Sequence, residues 1–186
     1  MGTVKEPTPV KLFVALLSGN EDLLSTVEKE LVSLFGAMDS STRGVPWELT
    51  DYYKDEMGSG LMRRFVSFEP LVSPEKLPEI KLQTQSLEEK YRWLRGEEKG
   101  RRVNVDPGYV DAGKVVLAST KDAGHRIYLR SGIYGEVTLL FHKGSFEPFI
   151  YTYKDYLWPD THSFFSAVRS LYLRQLRSRV NDNKRE

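Results

Sequence analysis

Ionisable side chains are concentrated in one segment whose apolar residues are otherwise those of β-strands. Between Arg102 and Phe141, Val, Ile, Leu and Tyr alternate with polar residues that include Asn104, Asp106, Lys114, Lys121, Asp122, His125, Arg126 and Glu136. A sheet that only built a core would not need them, because polar groups near a core are costly unless they are paired or used. We therefore predict the functional site in this segment, which we call the polar strand block.

A histidine and a carboxylate are predicted to meet across a hairpin in this block. Ser131-Gly132 suits a two-residue turn between strands at about His125–Arg130 and Ile133–Phe141. This pairing puts His125 and Glu136 diagonally on one face, within reach of each other. We interpret them as candidate catalytic residues, an acid–base pair. The alternative is that both only make structural pairs in a half-buried sheet.

The same register assigns the neighbouring side chains to faces. If the loop at 121–124 closes symmetrically, Lys114, Val116, Ala118 and Thr120 share the face of His125, and Lys114 with Thr120 could hold an anion. Arg126, Tyr128 and Arg130 fall on the other face. A slip of one residue would reverse this assignment.

We predict that the block binds a small anionic metabolite, such as a nucleotide or a phosphorylated compound. The candidate ligand-binding residues are Arg102, Asn104, Asp106, Tyr109, Lys114, Lys121, Arg126 and Tyr128. Asp106 also has a milder interpretation, since an Asp before Pro-Gly commonly orders a turn. Whether the protein is an enzyme stays open, and no cofactor is assigned.

Two more specific sites depend on sequence patterns that are incomplete here. Asp106, His125 and Glu136 form a mixed set of N and O ligands that suits zinc, manganese or iron, but their spacing matches no metal motif, so we assign no metal site and metal binding stays open. Gly108–Lys114 has the GxxxxGK spacing of a P-loop. Val115 replaces the Ser or Thr that holds magnesium, and the following residues predict a strand where a P-loop needs a helix. We expect no GTP binding of the P-loop type.

Composition sets limits on the class of protein. The 186 residues carry a formal charge of +1 and include no cysteine. This excludes disulfides and thiolate chemistry, and it gives no global attraction for nucleic acid or anionic membranes. No apolar segment is long enough to span a bilayer, and the N-terminus lacks the apolar core of a signal peptide. We expect a cytoplasmic protein with no membrane partner and no nucleic-acid partner.

Hydrophobic periodicity predicts a single α+β domain over residues 1–186, with flexible tails at 1–9 and 181–186. Val10–Leu17 is a buried strand, followed by a helix capped by Ser18 and stopped by Gly36. A second helix starts at Ser73-Pro74 and runs to about Arg95, and a third begins at Asp160 or Thr161. Further strands are expected at 61–71, 101–106 and 114–120. The tight hairpins make the sheet largely antiparallel or mixed.

A different class of function remains open beside ligand binding. The chain is rich in tyrosine, and its last helix ends in several Arg and Lys residues. These features also fit a non-catalytic module that binds a protein or RNA. A concave pocket around His125, Arg126 and Glu136 would favour the ligand-binding protein, and a convex basic-aromatic face would favour the module.

Several motifs resemble a known bacterial family, domain-of-unknown-function family number 4416. They are Asn104-Val-Asp-Pro-Gly-Tyr109, Lys114–Asp122, His125–Leu129, Gly132–Tyr134, Glu136–Leu139, Thr50–Tyr53, Glu56–Gly58 and Tyr151–Tyr156. The likeness covers roughly Val10–Phe165, and the usual Pro of the family is replaced by Lys154. It implies a bacterial cytoplasmic protein. Members are sometimes labelled GTP-binding, and the resemblance implies no established catalytic residues.

Overall fold

The computed structural model describes residues 2–49, 53–95 and 98–182. Most of the Thr50–Tyr53 motif therefore lies outside the described residues, as do the predicted tail residues 1 and 183–186. The helices are α1 (Glu21–Phe35), α2 (Lys54–Met57), α3 (Leu77–Lys90) and α4 (Pro159–Asp182). The strands are β1 (Val10–Ser18), β2 (Met38–Ser41), β3 (Val45–Pro46), β4 (Met62–Val72), β5 (Trp93–Arg95), β6 (Glu98–Gly100), β7 (Asn104–Val110), β8 (Lys114–Ser119), β9 (Ile127–Arg130), β10 (Ile133–His142) and β11 (Ser145–Pro148).

One large antiparallel sheet organises the chain, which confirms the predicted α+β class. Its strand order is β11-β10-β8-β7-β1-β4-β2, with β3 added to β4 and β9 added to β10. The strands β5 and β6 form a separate ribbon. None of the helices that the structure describes is long and apolar enough to cross a membrane.

The central strand β1 is buried on both faces, as its continuous apolar run predicts. Leu12, Val14 and Leu16 pack beneath α1 and α3. Phe13 and Ala15 face the opposite layer, where Phe164, Phe165 and Val168 of α4 complete the core. The sheet thus has α1 and α3 on one face and α4 on the other, and neither face is free for solvent at its centre.

The predicted β-α unit at the N-terminus is confirmed, but its cap differs. The side chain of Asn20, rather than Ser18, caps α1 by accepting from the amide of Leu23 at 2.8 Å. Ser18 lies at the end of β1 and donates its hydroxyl to the carbonyl of Arg102. Gly36 ends the helix with φ of 93°, a left-handed value that favours glycine.

Two predicted boundaries are wrong. A 3₁₀ turn at Pro74–Lys76 precedes α3, which ends at Lys90, so the second helix is shorter than predicted. Pro107-Gly108 is not a turn, because β7 continues through it to Val110. The pairing of β7 with β1 keeps these residues extended, since Val14 lies opposite Pro107 and Phe13 lies opposite Gly108.

The predicted hairpin at Ser131-Gly132 is confirmed, with φ of 54° and 75° at its two turn residues. Its register is shifted by a bulge next to the turn, so Ile127 lies opposite Gly135 and not opposite Glu136. The strand predicted at about His125–Arg130 is β9, which begins only at Ile127. His125 precedes it in a turn. Bulges of this kind insert one residue and exchange the faces of everything beyond them.

Candidate functional site

A cleft opens where β7 and β8 separate. The two strands pair over Gly108–Val110, while β7 begins at Asn104 and β8 continues to Ser119. Pro107 has no amide hydrogen to offer to a neighbouring strand, so pairing starts beyond it. Gly108 allows the close approach at the start of the pairing, because a Cβ there would lie 2.4 Å from the carbonyl oxygen of Val116.

Two side chains of α3 take the place of a strand along the separated part of β7. The carboxylate of Glu88 accepts a hydrogen bond from the amide of Val105 at 2.6 Å. The ammonium of Lys81 donates to the carbonyl of Val105 at 3.2 Å and to Asp106 at 2.8 Å. The backbone groups of Val105 that point away from β1 are therefore satisfied without a strand on that side, and the gap between β7 and β8 persists.

The cleft has two lobes that share Tyr53, Asp106, Ser119, Lys121 and Tyr153. The first, which we call the aromatic lobe, has a volume of about 380 Å³ and is lined also by Trp47, Arg63, Leu117, Ala118, Arg126, Glu136, Asp155 and Tyr156. The second, the polar lobe, has a volume of about 300 Å³ and is lined also by Glu56, Lys81, Gln85, Glu88, Glu89, Arg92, Arg101, Asn104 and Thr120. Both volumes are of the size that takes small metabolites.

Glu136 is the central carboxylate of the wall formed by β10, and its side chain is 1% exposed. Its Oε2 accepts from Nε of Arg126 at 2.7 Å and lies 3.2 Å from Nε2 of His125. The hydroxyl of Thr138 donates to Oε1. His125 and Glu136 do meet, but the proposed face for Arg126 is wrong, because the bulged hairpin brings it onto Glu136 as well.

Arg126 is held by four acceptors. One Nη donates to the hydroxyl of Ser119 and to the carbonyl of Lys121, both at 2.9 Å, and the other donates to the hydroxyl of Tyr153 at 2.8 Å. Its Nε bonds to Glu136. Four of the five donors of the guanidinium are thus occupied, so Arg126 orders the wall more than it offers contacts to a ligand.

His125 lies behind that wall. Its ring stacks on Tyr151 with centroids 4.2 Å apart, and Tyr151 stacks in turn on Phe149. His125 is 29% exposed, and it is not among the described residues that line either lobe. The geometry places it where it can orient Glu136 rather than touch a ligand in the cleft.

The floor of the aromatic lobe contains a buried ion pair that the sequence analysis missed. Arg63 of β4 and Asp155, which precedes α4, are 5% and 1% exposed, and Nε of Arg63 lies 2.9 Å from Oδ2 of Asp155. The N–H is not aligned on that oxygen. Within the described ranges, neither Nε nor Nη1 of Arg63 donates a well-formed hydrogen bond. Buried polar groups are normally hydrogen-bonded, so the incompletely bonded guanidinium of Arg63 makes this floor a candidate functional site.

Two aromatic residues complete that floor. The ring of Trp47 lies over the guanidinium of Arg63 at 4.7 Å from the centroid. Tyr156 packs its ring between Phe65 and Phe165, with its hydroxyl buried in the cleft floor. Nε1 of Trp47 and the hydroxyl of Tyr156 also have no hydrogen-bond partner in the part of the chain that the structure describes.

Burial shifts the pKa values of two groups in this floor, Asp155 and Tyr156. It raises the pKa of Asp155, and the opposing charge of Arg63 only partly offsets the effect. Burial, reinforced by the charge of Asp155, raises the pKa of Tyr156 well above its ordinary value. Asp155 is therefore more easily protonated than an exposed aspartate, and Tyr156 stays neutral.

The polar lobe is built from tightly paired charges. Hydrogen bonds from Arg101 lower the pKa of Glu56, and Nη1 of Arg101 also donates to Asn104 at 2.9 Å. Burial works to raise the pKa of Asp106, but the charge and hydrogen bond of Lys81 outweigh it and lower the value. Asn104, Asp106 and Lys121 are thus predicted ligand-binding residues that do lie on the cleft.

Glu88 is the exception in that lobe. Burial raises its pKa from 4.5 to about 7, although Lys81 and the amide of Val105 oppose the shift. Burial likewise raises the pKa of Tyr53, at the junction of the lobes, to about 12. Near neutral pH Glu88 therefore exists in both its protonated and its ionised form, while Tyr53 remains protonated.

Four predicted ligand-binding residues lie away from the cleft. Arg102 is exposed beyond the start of β7, and Tyr109 faces the α3 layer with Val116. Lys114 begins β8 at its far end, where it pairs with Asp111 at 2.5 Å. Tyr128 is 58% exposed on β9 and packs on Tyr134.

The predicted face that joined Lys114 and Thr120 to His125 is also wrong. The strand β8 pairs with β7 and β10 and not with β9, so the loop at 121–124 closes no hairpin. Leu117 lies opposite Glu136, which puts Ser119 on the face of Glu136 and Ala118 on the other. The GxxxxGK segment spans the end of β7, the connection at 111–113 and the first residue of β8.

No cluster of three or more potential metal ligands occurs among residues 2–49, 53–95 and 98–182. The cleft can instead hold a polar molecule against a floor whose polar groups are incompletely hydrogen-bonded. The polar side chains of the cleft can form hydrogen bonds, both charged and uncharged, to a ligand that lies among its aromatic side chains.

The fold and the cleft define an α+β protein with a central site between two separated strands of an antiparallel sheet. Comparison with known families then places it. The family model described as domain of unknown function (DUF4416) matches residues 8–172, and the chain belongs to this family. No curated protein and no solved structure matches the chain.

Proposed function

We propose that the protein binds a small anionic metabolite, of the nucleotide or phosphorylated class, in the two-lobed cleft. The observation that carries this proposal is the side chain of Arg63, which lines a cavity of metabolite size and has two nitrogens, Nε and Nη1, without a hydrogen-bond partner in the described ranges. A guanidinium with free donors is well suited to carboxylate or phosphate oxygens. The reaction class is left unassigned, and His125 is proposed to position Glu136 through their contact at 3.2 Å.

The charges of the cleft support an anionic ligand. Six cationic side chains and six carboxyl groups line the two lobes, the cations being Arg63, Lys81, Arg92, Arg101, Lys121 and Arg126. Burial raises the pKa of two of the carboxyl groups, Asp155 and Glu88, and that of Glu88 reaches about 7. Protonation of Glu88 leaves the cleft with a net positive charge, which favours a bound anion.

Arg92 adds a second cation with spare capacity, in the polar lobe. Its Nη2 lies 3.0 Å from Glu89, while its Nε is buried without a hydrogen-bond partner in the described ranges. Arg63 and Arg92 thus line different lobes with a cationic side chain. A ligand that extends from one lobe into the other lies near both charges.

The test compares phosphorylated compounds with their unphosphorylated partners by calorimetry and thermal shift. We expect ribose 5-phosphate and nucleoside monophosphates to bind and to raise the melting temperature, because a ligand of the native state stabilises it by mass action. Ribose is expected to bind at least about tenfold more weakly, since it lacks the charge-assisted hydrogen bonds of a phosphate.

The matched variants are Arg63→Met with Asp155→Asn, and Arg177→Met with Asp160→Asn. Each pair removes one cation and one carboxylate, the first from the cleft floor and the second from exposed positions on α4. We expect binding to be lost in the first pair and unchanged in the second. Equal binding by both pairs, or no phosphorylated ligand for the wild type, would refute the proposal.

A further inference from the structure

The strand β9 forms an apolar edge of the large sheet. It pairs with β10 and with no other strand in the described ranges, so one side of its backbone is open. Its first three residues are well exposed, Ile127 at 73%, Tyr128 at 58% and Leu129 at 41%. The bulge beside the turn does not interrupt the strand, which is continuous over Ile127–Arg130. An open, apolar edge of this kind is a template for pairing with another strand.

Two other outer strands of the sheet carry residues that oppose such pairing. Pro46 lies in the short strand β3, and Glu147 and Pro148 end β11. Proline offers no amide hydrogen, and a charge at an edge opposes the approach of a second strand. The charged residue of β9, Arg130, donates to the carbonyl of Glu75 at 3.0 Å. The apolar residues of β9 therefore have no such protection within their own strand.

The sequence of β9 is self-complementary when two copies pair antiparallel. A two-fold axis perpendicular to a sheet keeps each face on its own side, so it places one residue directly opposite its own copy. With Tyr128 on the axis, the two Tyr128 side chains meet, and Ile127 of each copy lies opposite Leu129 of the other. Every apolar residue of the strand then has an apolar partner. With Leu129 on the axis, Tyr128 would instead lie opposite Arg130.

We propose that a second copy of this chain docks on β9 and continues the sheet across a two-fold axis at Tyr128. Tyr128 already packs edge to face on Tyr134, with ring centroids 5.4 Å apart, so the dimer contains a row of four tyrosines. Aromatic cross-strand pairs of this kind stabilise antiparallel sheets. A contact between two short strands is smaller than a standard interface, which takes ~800 Å² from each partner. We therefore expect a weak dimer, with a dissociation constant of about 1–100 μM.

The first experiment measures the oligomeric state by sedimentation equilibrium between about 1 μM and 1 mM. The variant Ile127→Lys places a charge on the edge, and we expect it to weaken the dimer at least about tenfold. The matched control is Leu94→Lys, because Leu94 is 77% exposed on β5, outside the large sheet. Both substitutions are at exposed positions, and equal melting temperatures of the two variants at low concentration check that both are folded.

The second experiment tests the register and uses the lack of cysteine in the chain. Residues directly opposite each other in an antiparallel pair have Cα atoms about 4.5–5.5 Å apart, within the range of a disulfide. Tyr128→Cys should therefore form a linked dimer on mild oxidation. Ile127→Cys puts its two cysteines two positions out of register, roughly 8 Å apart, which is beyond that range. We expect it to cross-link at least about tenfold more slowly, at the rate of Leu94→Cys.

The outcomes decide the proposal directly. A dimer that is weakened in Ile127→Lys, kept in Leu94→Lys and cross-linked through position 128 supports it. A wild type that stays monomeric up to about 1 mM overturns it, even if an extended peptide binds to the same edge. A dimer that Ile127→Lys leaves intact, or equal cross-linking at positions 127 and 128, overturns it as well.

Discussion

Two buried ion pairs lie on the α4 side of the sheet, and they differ in how fully their hydrogen-bonding groups are used. Lys11 of β1 is completely buried beneath α4, where it bonds to Asp39, to Gln175 at 2.9 Å and to the carbonyl of Glu69 at 3.3 Å. Its three donors are all occupied. Arg63 is nearly as deeply buried, yet its Nε and Nη1 have no hydrogen-bond partner within the described ranges.

The comparison shows how burial of charge can serve two purposes. The Lys11 network joins β1, β2, β4 and α4, and Asp39 also accepts from Ser67 at 2.7 Å. A charge with every donor used contributes to the fold. A charge that is equally buried but incompletely bonded is retained at a cost, and such costs are typical of functional sites.

The largest effect is expected for Lys11→Met. This change leaves the Asp39 carboxylate without its cation, so we expect a loss of about 3–5 kcal/mol in the free energy of unfolding, as for other broken buried pairs. Urea denaturation measures it. Lys5→Met, at an exposed position, is the control. A loss below about 1 kcal/mol would remove the distinction between this network and an ordinary surface pair.

The next effect concerns the pH dependence of stability through Glu88. Its pKa is raised from 4.5 to about 7 in the folded protein, so the folded state holds a proton that the unfolded state releases. Stability contributed by this proton is present below about pH 4.5 and is lost as the pH rises towards 7.

The variant Glu88→Gln should remove that dependence and keep an acceptor for the amide of Val105. Relative to wild type, we expect Glu88→Gln to gain on the order of 1–3 kcal/mol between pH 5 and pH 8, measured by urea unfolding. Glu89→Gln, its more exposed neighbour, serves as the control. A difference that does not change with pH would contradict the raised pKa.

A smaller stability effect is expected for Arg63→Met with Asp155→Asn. Removing both members of a buried pair leaves no lone charge, and apolar or neutral replacements are often neutral or stabilising. We expect a change within about 1 kcal/mol, in contrast to Lys11→Met, together with loss of ligand binding. A loss as large as that of Lys11→Met would assign the Arg63 pair to the fold.

The smallest effect is expected at His125. Because it stacks on Tyr151 behind Glu136 and outside both lobe walls, His125→Phe keeps the stack and removes only the contact to Glu136. We expect less than about a threefold change in ligand affinity, since Arg126 still holds the carboxylate. Glu136→Gln, on the lobe itself, should have the larger effect. The reverse order would give His125 a direct contact with the ligand.

Local patterns in the sequence predicted the elements well. The apolar run of β1, the periodic α1 with its stop at Gly36, and the turn at Ser131-Gly132 depend on neighbouring residues and are found as predicted. The boundary at Pro107-Gly108 failed because the pairing with β1 keeps these residues extended. That pairing joins positions about ninety residues apart in the chain, and turn propensity does not report it.

The candidate site was predicted only in part, for the same reason. Asp106, Lys121, Arg126 and Glu136 lie on the cleft, whereas the arginine and aspartate of its floor come from β4 and from the segment before α4. A signal for Arg63 was present, since on a strand it shares a face with the apolar residues Leu61 and Phe65. Its partner Asp155 is more than ninety positions away, and no spacing rule connects the two.

On one side of β7, side chains of α3 bond to the backbone where a strand would otherwise pair. Because of this, the amide of Val105 reports on local motion of α3. The N–H of Val105 is held by the side chain of Glu88 and not by a strand on that side. Its exchange with deuterium should therefore follow the undocking of α3, while the amides of β1 exchange only when the sheet itself opens. Slower exchange at this single position on addition of a ligand would show that occupancy of the cleft holds the helix against the sheet.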